Sequence, residues 1–149
     1  MDSRRSFLGH VATGLAGTLA APASVLRAGA RVRVGLIGAG ERGTQLAREV
    51  QACGGEVVAV ADIYARRLAA AQTLGPRVKA SADYRELLES KDVDAVLVAT
   101  PQHLHGGQAL AALDAGKHVY VERNLAFSVD EARRVRDAAR RAPRLVVQV

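Results

Sequence analysis

Three glycines and one acid, at fixed spacing, carry the first chemical signal in this sequence. Gly38-Ala39-Gly40-Glu41-Arg42-Gly43 fits the pattern G-x-G-x-x-G, and Asp62 follows 19 residues after Gly43. Gly38 permits a tight turn, Gly40 leaves no side chain between the backbone and a pyrophosphate, and Gly43 lets the following helix pack close to the preceding strand. Backbone N–H groups at the helix start, from Gly40 through Glu41 and Arg42, then face phosphate with the positive end of the helix dipole behind them. An acid at the distance of Asp62 is placed to accept hydrogen bonds from an adenosine ribose. The pattern predicts a dinucleotide site. The plainer alternative is a glycine-rich turn in an unrelated α/β protein.

Asp62 also selects between cofactors, because a carboxylate there repels a 2′-phosphate and favours NAD over NADP. Arg66 and Arg67 lie close enough to receive that phosphate, so NADP stays possible; both equally suit a solvated helix face. A second group of polar residues is Thr100-Pro101-Gln102-His103-Leu104-His105, with Thr100, Pro101 and His103 placed to line the cofactor. His103 or His105 could bond the cofactor or a substrate, and His105 is the candidate for chemistry. Each equally suits capping or packing of the helix that follows. A third group is Glu122-Arg123-Asn124, with Glu122 a candidate at the cofactor and Arg123 at the substrate. His118 opens an apolar stretch and reads as structural. The single cysteine, Cys53, has no partner for an internal disulfide and no metal-ligand spacing around it, so no metal site is expected.

These residues need elements that bring them together. Val32–Ile37 reads as a short buried strand, and Leu46, Ala47 and Val50 give helical spacing over about Arg42–Ala52. Val57–Ala61 and Asp94–Ala99 are nearly continuous apolar runs, as strands buried on both faces are. The same reading places helices at Tyr64–Leu74, Tyr84–Ser90 and His103–Ala115, and strands at Val78–Ala80, Lys117–Val121 and Leu145–Val149. Ser128 with Glu131 forms a capping box for a last helix ending near Arg141. Ser81 or Asp83 can cap the helix at Tyr84. Strands alternating with helices predict a doubly wound parallel α/β sheet, a Rossmann fold, of strand order 3-2-1-4-5-6 with right-handed crossovers. Ligands in such sheets bind beyond the carboxyl ends of the strands. Gly38, Asp62, Thr100 and Glu122 all stand at those ends.

With 149 residues the chain suffices for one domain. Its net charge of +6 is dispersed: the late arginines from Arg133 to Arg141 alternate with Asp130, Glu131 and Asp137. There is no basic stripe with stacking aromatics, so no nucleic-acid partner is expected. Residues 1–30 read as an address and a lead-in rather than as fold, with the domain over residues 31–149. Ser3-Arg4-Arg5-Ser6-Phe7-Leu8 has the twin-arginine pattern, a mildly apolar run follows over Val11–Ala20, and Ala21-Pro22-Ala23 offers a cleavage site. The run is shorter than the ~20 residues that span a bilayer. The expectation is therefore a removed signal, not a membrane anchor, and a periplasmic or otherwise exported protein. A basic tail that stays attached is the alternative.

Taken in order, Gly38–Gly43, Ala99–His105 and Ala115-Gly116-Lys117-His118-Val119-Tyr120-Val121-Glu122 resemble the nucleotide-binding half of the Gfo/Idh/MocA oxidoreductases, the glucose-fructose oxidoreductase and inositol dehydrogenase family. The resemblance covers about Arg31–Val149. It implies hydride transfer between a sugar or polyol carbon and nicotinamide C4, a further substrate domain after the nucleotide-binding one, and homo-oligomers formed through that domain. The family usually reads Glu-Lys-Pro where this chain has Glu122-Arg123-Asn124. The family lysine helps handle the hydroxyl proton; Arg123 keeps the charge but is too basic to exchange a proton near neutral pH. The chain ends at Val149, near the sixth strand, so a fragment is expected. Two alternatives accompany the oxidoreductase reading: a cofactor-binding module without turnover, and an NAD-dependent glycosidase of the same family.

Overall fold

A computed structural model describes residues 31–149; the twin-arginine motif, the apolar run after it and the cleavage site lie outside the described residues. The glycine-rich loop joins β1 (Arg33–Ile37) to α1 (Glu41–Ala52), and β2 (Glu56–Ala61) follows. Next come α2 (Ala65–Ala71), running into a 3₁₀ turn at Gln72–Leu74, then β3 (Lys79–Ser81), α3 (Tyr84–Glu89) and β4 (Ala95–Val98). A second 3₁₀ turn, Gln102–Leu104, leads into α4 (His105–Asp114), followed by β5 (His118–Val121), α5 (Val129–Arg141) and β6 (Val147–Gln148). The six strands form one parallel sheet of order β3-β2-β1-β4-β5-β6. The expected architecture is therefore the one observed. Strand and helix ends move by one to three residues, most at the end of α2, which passes into the 3₁₀ turn, and β6 is two residues long rather than five.

Each face of the sheet carries its own core. On one, Val34, Leu36, Val57 and Val60 meet Leu46 and Ala47 of α1 and Leu74 after α2. On the other, Ile37, Ala61, Val96, Val98 and Val121 meet Leu87, Leu88, Leu113 and Val135 from α3, α4 and α5. Strand alternation decides this division, since successive side chains of β1 point to opposite faces. The β1–β2 register shifts by one between Val34 and Gly35, so Val58 and Ala59 both turn to the α3 face. At Gly35 an added Cβ would lie 2.6 Å from Leu87, so glycine there lets α3 lie directly on the strand.

Local capping follows the sequence. Ser128 accepts from the Glu131 N–H at 3.2 Å, while Glu131 reaches back to the Phe127 N–H at 2.9 Å, one residue before the cap. Of the two candidates for α3, Asp83 is the cap, accepting from the Arg85 N–H at 2.9 Å; Ser81 Oγ accepts from the Asp83 N–H and steadies it. Among the described residues no helix is long and apolar enough to cross a membrane.

Candidate functional site

The glycine-rich loop is held from beneath. Gly38 has φ +94°, and an added Cβ would lie 2.7 Å from the Ala99 carbonyl oxygen, so its place between β1 and β4 suits glycine alone. Its N–H donates to the Ala61 carbonyl at 2.8 Å, tying the loop to the end of β2. At Gly43 a Cβ would overlap the Gly38 carbonyl oxygen, so the first turn of α1 closes directly on the loop. Gly40 is the N-cap of α1 with no capping side chain, and the nearest atoms to a Cβ there belong to Arg67, at 3.9 Å. The first N–H groups of α1 are thereby left facing outward.

Asp62 closes the adenosine side. It is buried; Oδ2 accepts from the Ala39 N–H at 2.8 Å and Oδ1 from the Tyr64 N–H at 2.9 Å. The acid thus braces the glycine loop as well as facing the cleft. Arg67 approaches Oδ2 at 3.5 Å, while Arg66 turns to a separate trough between α1 and α2.

Gly38, Gly40, Glu41, Arg42, Asp62, Thr100, Pro101 and His103 line one cleft of about 540 Å³ beyond the carboxyl ends of β1, β2 and β4. Ile63, Tyr64 and Leu104 add exposed apolar surface at its rim. A cleft with an open glycine backbone at its centre, a buried acid at one side and apolar flanks fits a dinucleotide. Thr100 Oγ1 donates to Gln108 Oε1 at 2.6 Å, which orders the loop after β4. Gln108 is a site residue that the sequence reading missed, although it stands one helical turn after His105.

His105 is seated differently from a group meant to meet substrate. Its ring is 2% exposed, Nδ1 lies 2.8 Å from the Asn124 carbonyl oxygen, and Nε2 lies 2.7 Å from the Thr100 carbonyl oxygen. A neutral imidazole donates to one of these oxygens at a time. The ring ties the loop after β4 to the loop after β5. His103, by contrast, is exposed at the cleft.

Glu122 and Arg42 meet across the switch point of the sheet. Arg42 donates to Glu122 Oε1 from Nε at 2.9 Å and from Nη2 at 2.6 Å, and the Tyr120 hydroxyl donates to the same oxygen at 3.2 Å. The Arg42 guanidinium, helped by Tyr120, holds the Glu122 carboxyl below the usual carboxylate range against the opposing effect of burial. Burial and the Glu122 charge together push the Tyr120 phenol up. This pair was not foreseen, since its members are 80 positions apart. Arg123 is exposed, its N–H donates to Glu122 Oε2 at 3.3 Å, and the Arg123–Asn124 peptide bond is cis.

The Gfo/Idh/MocA family, described as an oxidoreductase family with an NAD-binding Rossmann fold, matches residues 32–149. Among relatives, 1,5-anhydro-D-fructose reductase of Ensifer adhaerens is 44% identical over 115 residues, covering 74% of this chain and 33% of its own. Inositol 2-dehydrogenase of Klebsiella pneumoniae is 40% identical over 121 residues, covering 79% and 36%. The chain thus spans about a third of the length of the curated relatives it matches. Two solved structures align closely. An NAD binding oxidoreductase from Klebsiella pneumoniae has TM-score 0.73 and 34% identity over 80% of this chain and 34% of that one. Biliverdin reductase from Synechocystis, in complex with biliverdin and NADP+, has TM-score 0.72 and 31% identity over 78% and 37%. This chain belongs to the Gfo/Idh/MocA oxidoreductase family, and its described residues are the NAD-binding Rossmann domain of that family.

Proposed function

We propose that this chain is the cofactor half of an exported NAD-dependent oxidoreductase that acts on a sugar or polyol. The observation that carries the reading is the cleft itself. Gly38, Gly40, Asp62 and Thr100, from three different strand ends, converge on one space at the order reversal of the sheet. The glycine loop and the start of α1 would hold the pyrophosphate, Asp62 the adenosine ribose, and the Thr100–His103 segment the nicotinamide side. When bound, the nicotinamide supplies a hydride acceptor or donor at C4. The alcohol proton has to go elsewhere. Arg123 stays charged and orients a hydroxyl or carbonyl oxygen rather than taking that proton. His105 is enclosed, so His103 is the imidazole that reaches the cleft and stands as the candidate for the proton.

Relatives named as an anhydrofructose reductase and inositol dehydrogenases support the substrate class, a polyhydroxylated ring. Export rests on Arg4, Arg5 and the apolar run after them. A substrate domain beyond this one, and association of copies through it, belong to the same proposal. Arg123 in the place of the family lysine favours a second reading, an NAD-binding module without turnover. The two separate in one experiment on the full chain. NAD+ should bind the purified protein and raise its melting temperature under either. NADH formation with a panel of sugars and inositols, tested on the chain as it occurs in its source, supports the enzyme. Binding without any turnover supports the module, and no binding sinks both.

A further inference from the structure

The inner face of α4 carries a polar side chain where packing calls for an apolar one. The buried stripe of this helix runs through His105, Gln108, Ala109 and Ala112, the i, i+3, i+4, i+7 spacing of a core-facing helix. A leucine at position 108 would complete it. Gln108 is instead a carboxamide with 7% of its surface exposed, in a place where an unbonded polar group is costly. Its oxygen is provided for, since Oε1 accepts from the Thr100 hydroxyl at 2.6 Å. Its nitrogen is not: a primary amide brings two N–H donors, and neither is hydrogen-bonded among the described residues. Every fully enclosed side-chain nitrogen or oxygen among the described residues has a partner, so Nε2 is the part of Gln108 that reaches a surface. That surface is the cleft, which Gln108 lines together with Gly38, Ala99 and Thr100.

The donors are also aimed. Thr100 holds Oε1, and Thr100 is itself pinned, its carbonyl oxygen lying 2.7 Å from His105 Nε2. A donor pair fixed from beneath gives up little freedom when it binds. Its occupant is narrowed by charge and by place. Phosphate oxygens in this cleft meet the first N–H groups of α1 and have the Arg42 guanidinium nearby, so a neutral amide adds little for them. A ribose hydroxyl oxygen, uncharged and able to accept, suits it better. Gln108 is tied to the end of β4, and β1 separates that end from Asp62 at the end of β2. The hydroxyls within its reach are therefore those of the second ribose, not the adenosine one.

We propose that Gln108 donates from Nε2 to a hydroxyl oxygen of the ribose beside the nicotinamide, and so fixes that half of the dinucleotide over the loop after β4. The proposal rests on the reading of the cleft as the cofactor site. The test is calorimetric titration of the full 149-residue chain with NAD+, with ADP-ribose and with ADP, which ends at the pyrophosphate. Gln108→Met keeps the side-chain length and loses both donors. Gln108→Glu keeps an acceptor for Thr100 and loses the donors. Each should raise the Kd for NAD+ and for ADP-ribose by about five- to tenfold, while Gln108→Met leaves the Kd for ADP within about twofold. Retained ADP binding shows that the variants are folded. In the natural chain the side-chain amide resonances of Gln108, identified by their loss in Gln108→Met, should shift with NAD+ and ADP-ribose but not with ADP. An unchanged NAD+ Kd, or an equal loss for all three ligands in Gln108→Met, overturns the proposal, the second by showing that Gln108 acts only through the fold. A loss in Gln108→Met alone overturns it too, because the tie to Thr100 then suffices. A loss for NAD+ that spares ADP-ribose overturns the ribose contact. In all these cases the cofactor reading stands, whereas a folded natural chain that binds none of the three overturns both.

Discussion

The two ends of the sheet use charge in opposite ways. At the amino ends of the strands, charged side chains satisfy one another. Arg33 meets Asp94 through Nε at 3.1 Å, Nη2 at 2.8 Å and its own backbone N–H at 3.0 Å. Lys117 donates to the Ser90 and Val93 carbonyls at 2.7 and 2.8 Å, and Lys79 pairs with Asp92. At the carboxyl ends, polar groups are held by backbone or by a neighbouring side chain and still border an open cleft. Asp62 is gripped by two amides, Thr100 by Gln108, and the first N–H groups of α1 point into a cleft. One end is cross-linked within itself, and the other is preorganised for something outside it. In a parallel sheet all strand dipoles and helix starts share a direction, so only one end offers helix N-termini to an anion.

The harshest way to break this division is to fill the space that only glycine allows. Gly43→Ala would drive a Cβ into the Gly38 carbonyl oxygen. Stability should fall by about 3 kcal/mol, and dinucleotide binding should be lost with it. A variant that binds NAD+ normally would show that the loop is not shaped by this contact. His105→Ala comes next. It leaves a void in a buried place and removes the ring that bridges the Thr100 and Asn124 carbonyls, a loss of about 2–3 kcal/mol by denaturant melt. Its expected signature is local: hydrogen exchange should quicken in the loops after β4 and β5 and stay slow in β1 and β2. Uniform quickening would refute the role of His105 as a tie between those loops.

The amino end is tested by Asp94→Asn. Arg33 hydrogen bonds, partly opposed by burial, hold the Asp94 carboxyl below the usual carboxylate range. A depressed folded value means that the carboxylate stabilises the fold above its unfolded pKa of about 3.9. That contribution disappears as the pH falls through the folded value. The pair is about one-third exposed, so its worth is modest, about 1 kcal/mol at neutral pH. Asp94→Asn should cost that much at pH 7 and nothing once the pH lies below both values, with NAD+ affinity unchanged. A fall in affinity would mean that the two ends are not independent.

Much of this was legible in the chain because periodicity and turn chemistry are local. Continuous apolar runs marked β2 and β4, Gly38 and Gly43 marked the loop, and Ser128 with Glu131 marked the start of α5. The site was legible as far as its residues act through backbone or sit at strand ends. His105 shows where that stops. A histidine after a strand looks the same in sequence whether its ring points into the cleft or into the gap between two loops, and only the placement of Asn124 decides. The Arg42–Glu122 pair is the same case, two exposed-looking charges joined by the sheet order.

That pair also decides whether the carboxyl end is wholly unlike the amino end. Arg42 lines the cleft, yet two of its donors are spent on Glu122, whose side chain is 17% exposed. If the pair acts as a restraint, it withholds a cation from the pyrophosphate. Glu122→Gln then removes the opposing charge and frees the guanidinium toward the cleft. NAD+ should bind about two- to threefold more tightly at low ionic strength, and the gain should shrink in high salt because it is a charge effect near solvent. The melting temperature at neutral pH should change less than in Asp94→Asn. If affinity falls instead, Glu122 is aiming Arg42 rather than restraining it, and the carboxyl end contains a locked pair of its own. The sign of this smallest effect therefore says whether the open end of the sheet is preorganised by backbone alone or by backbone and an ion pair together.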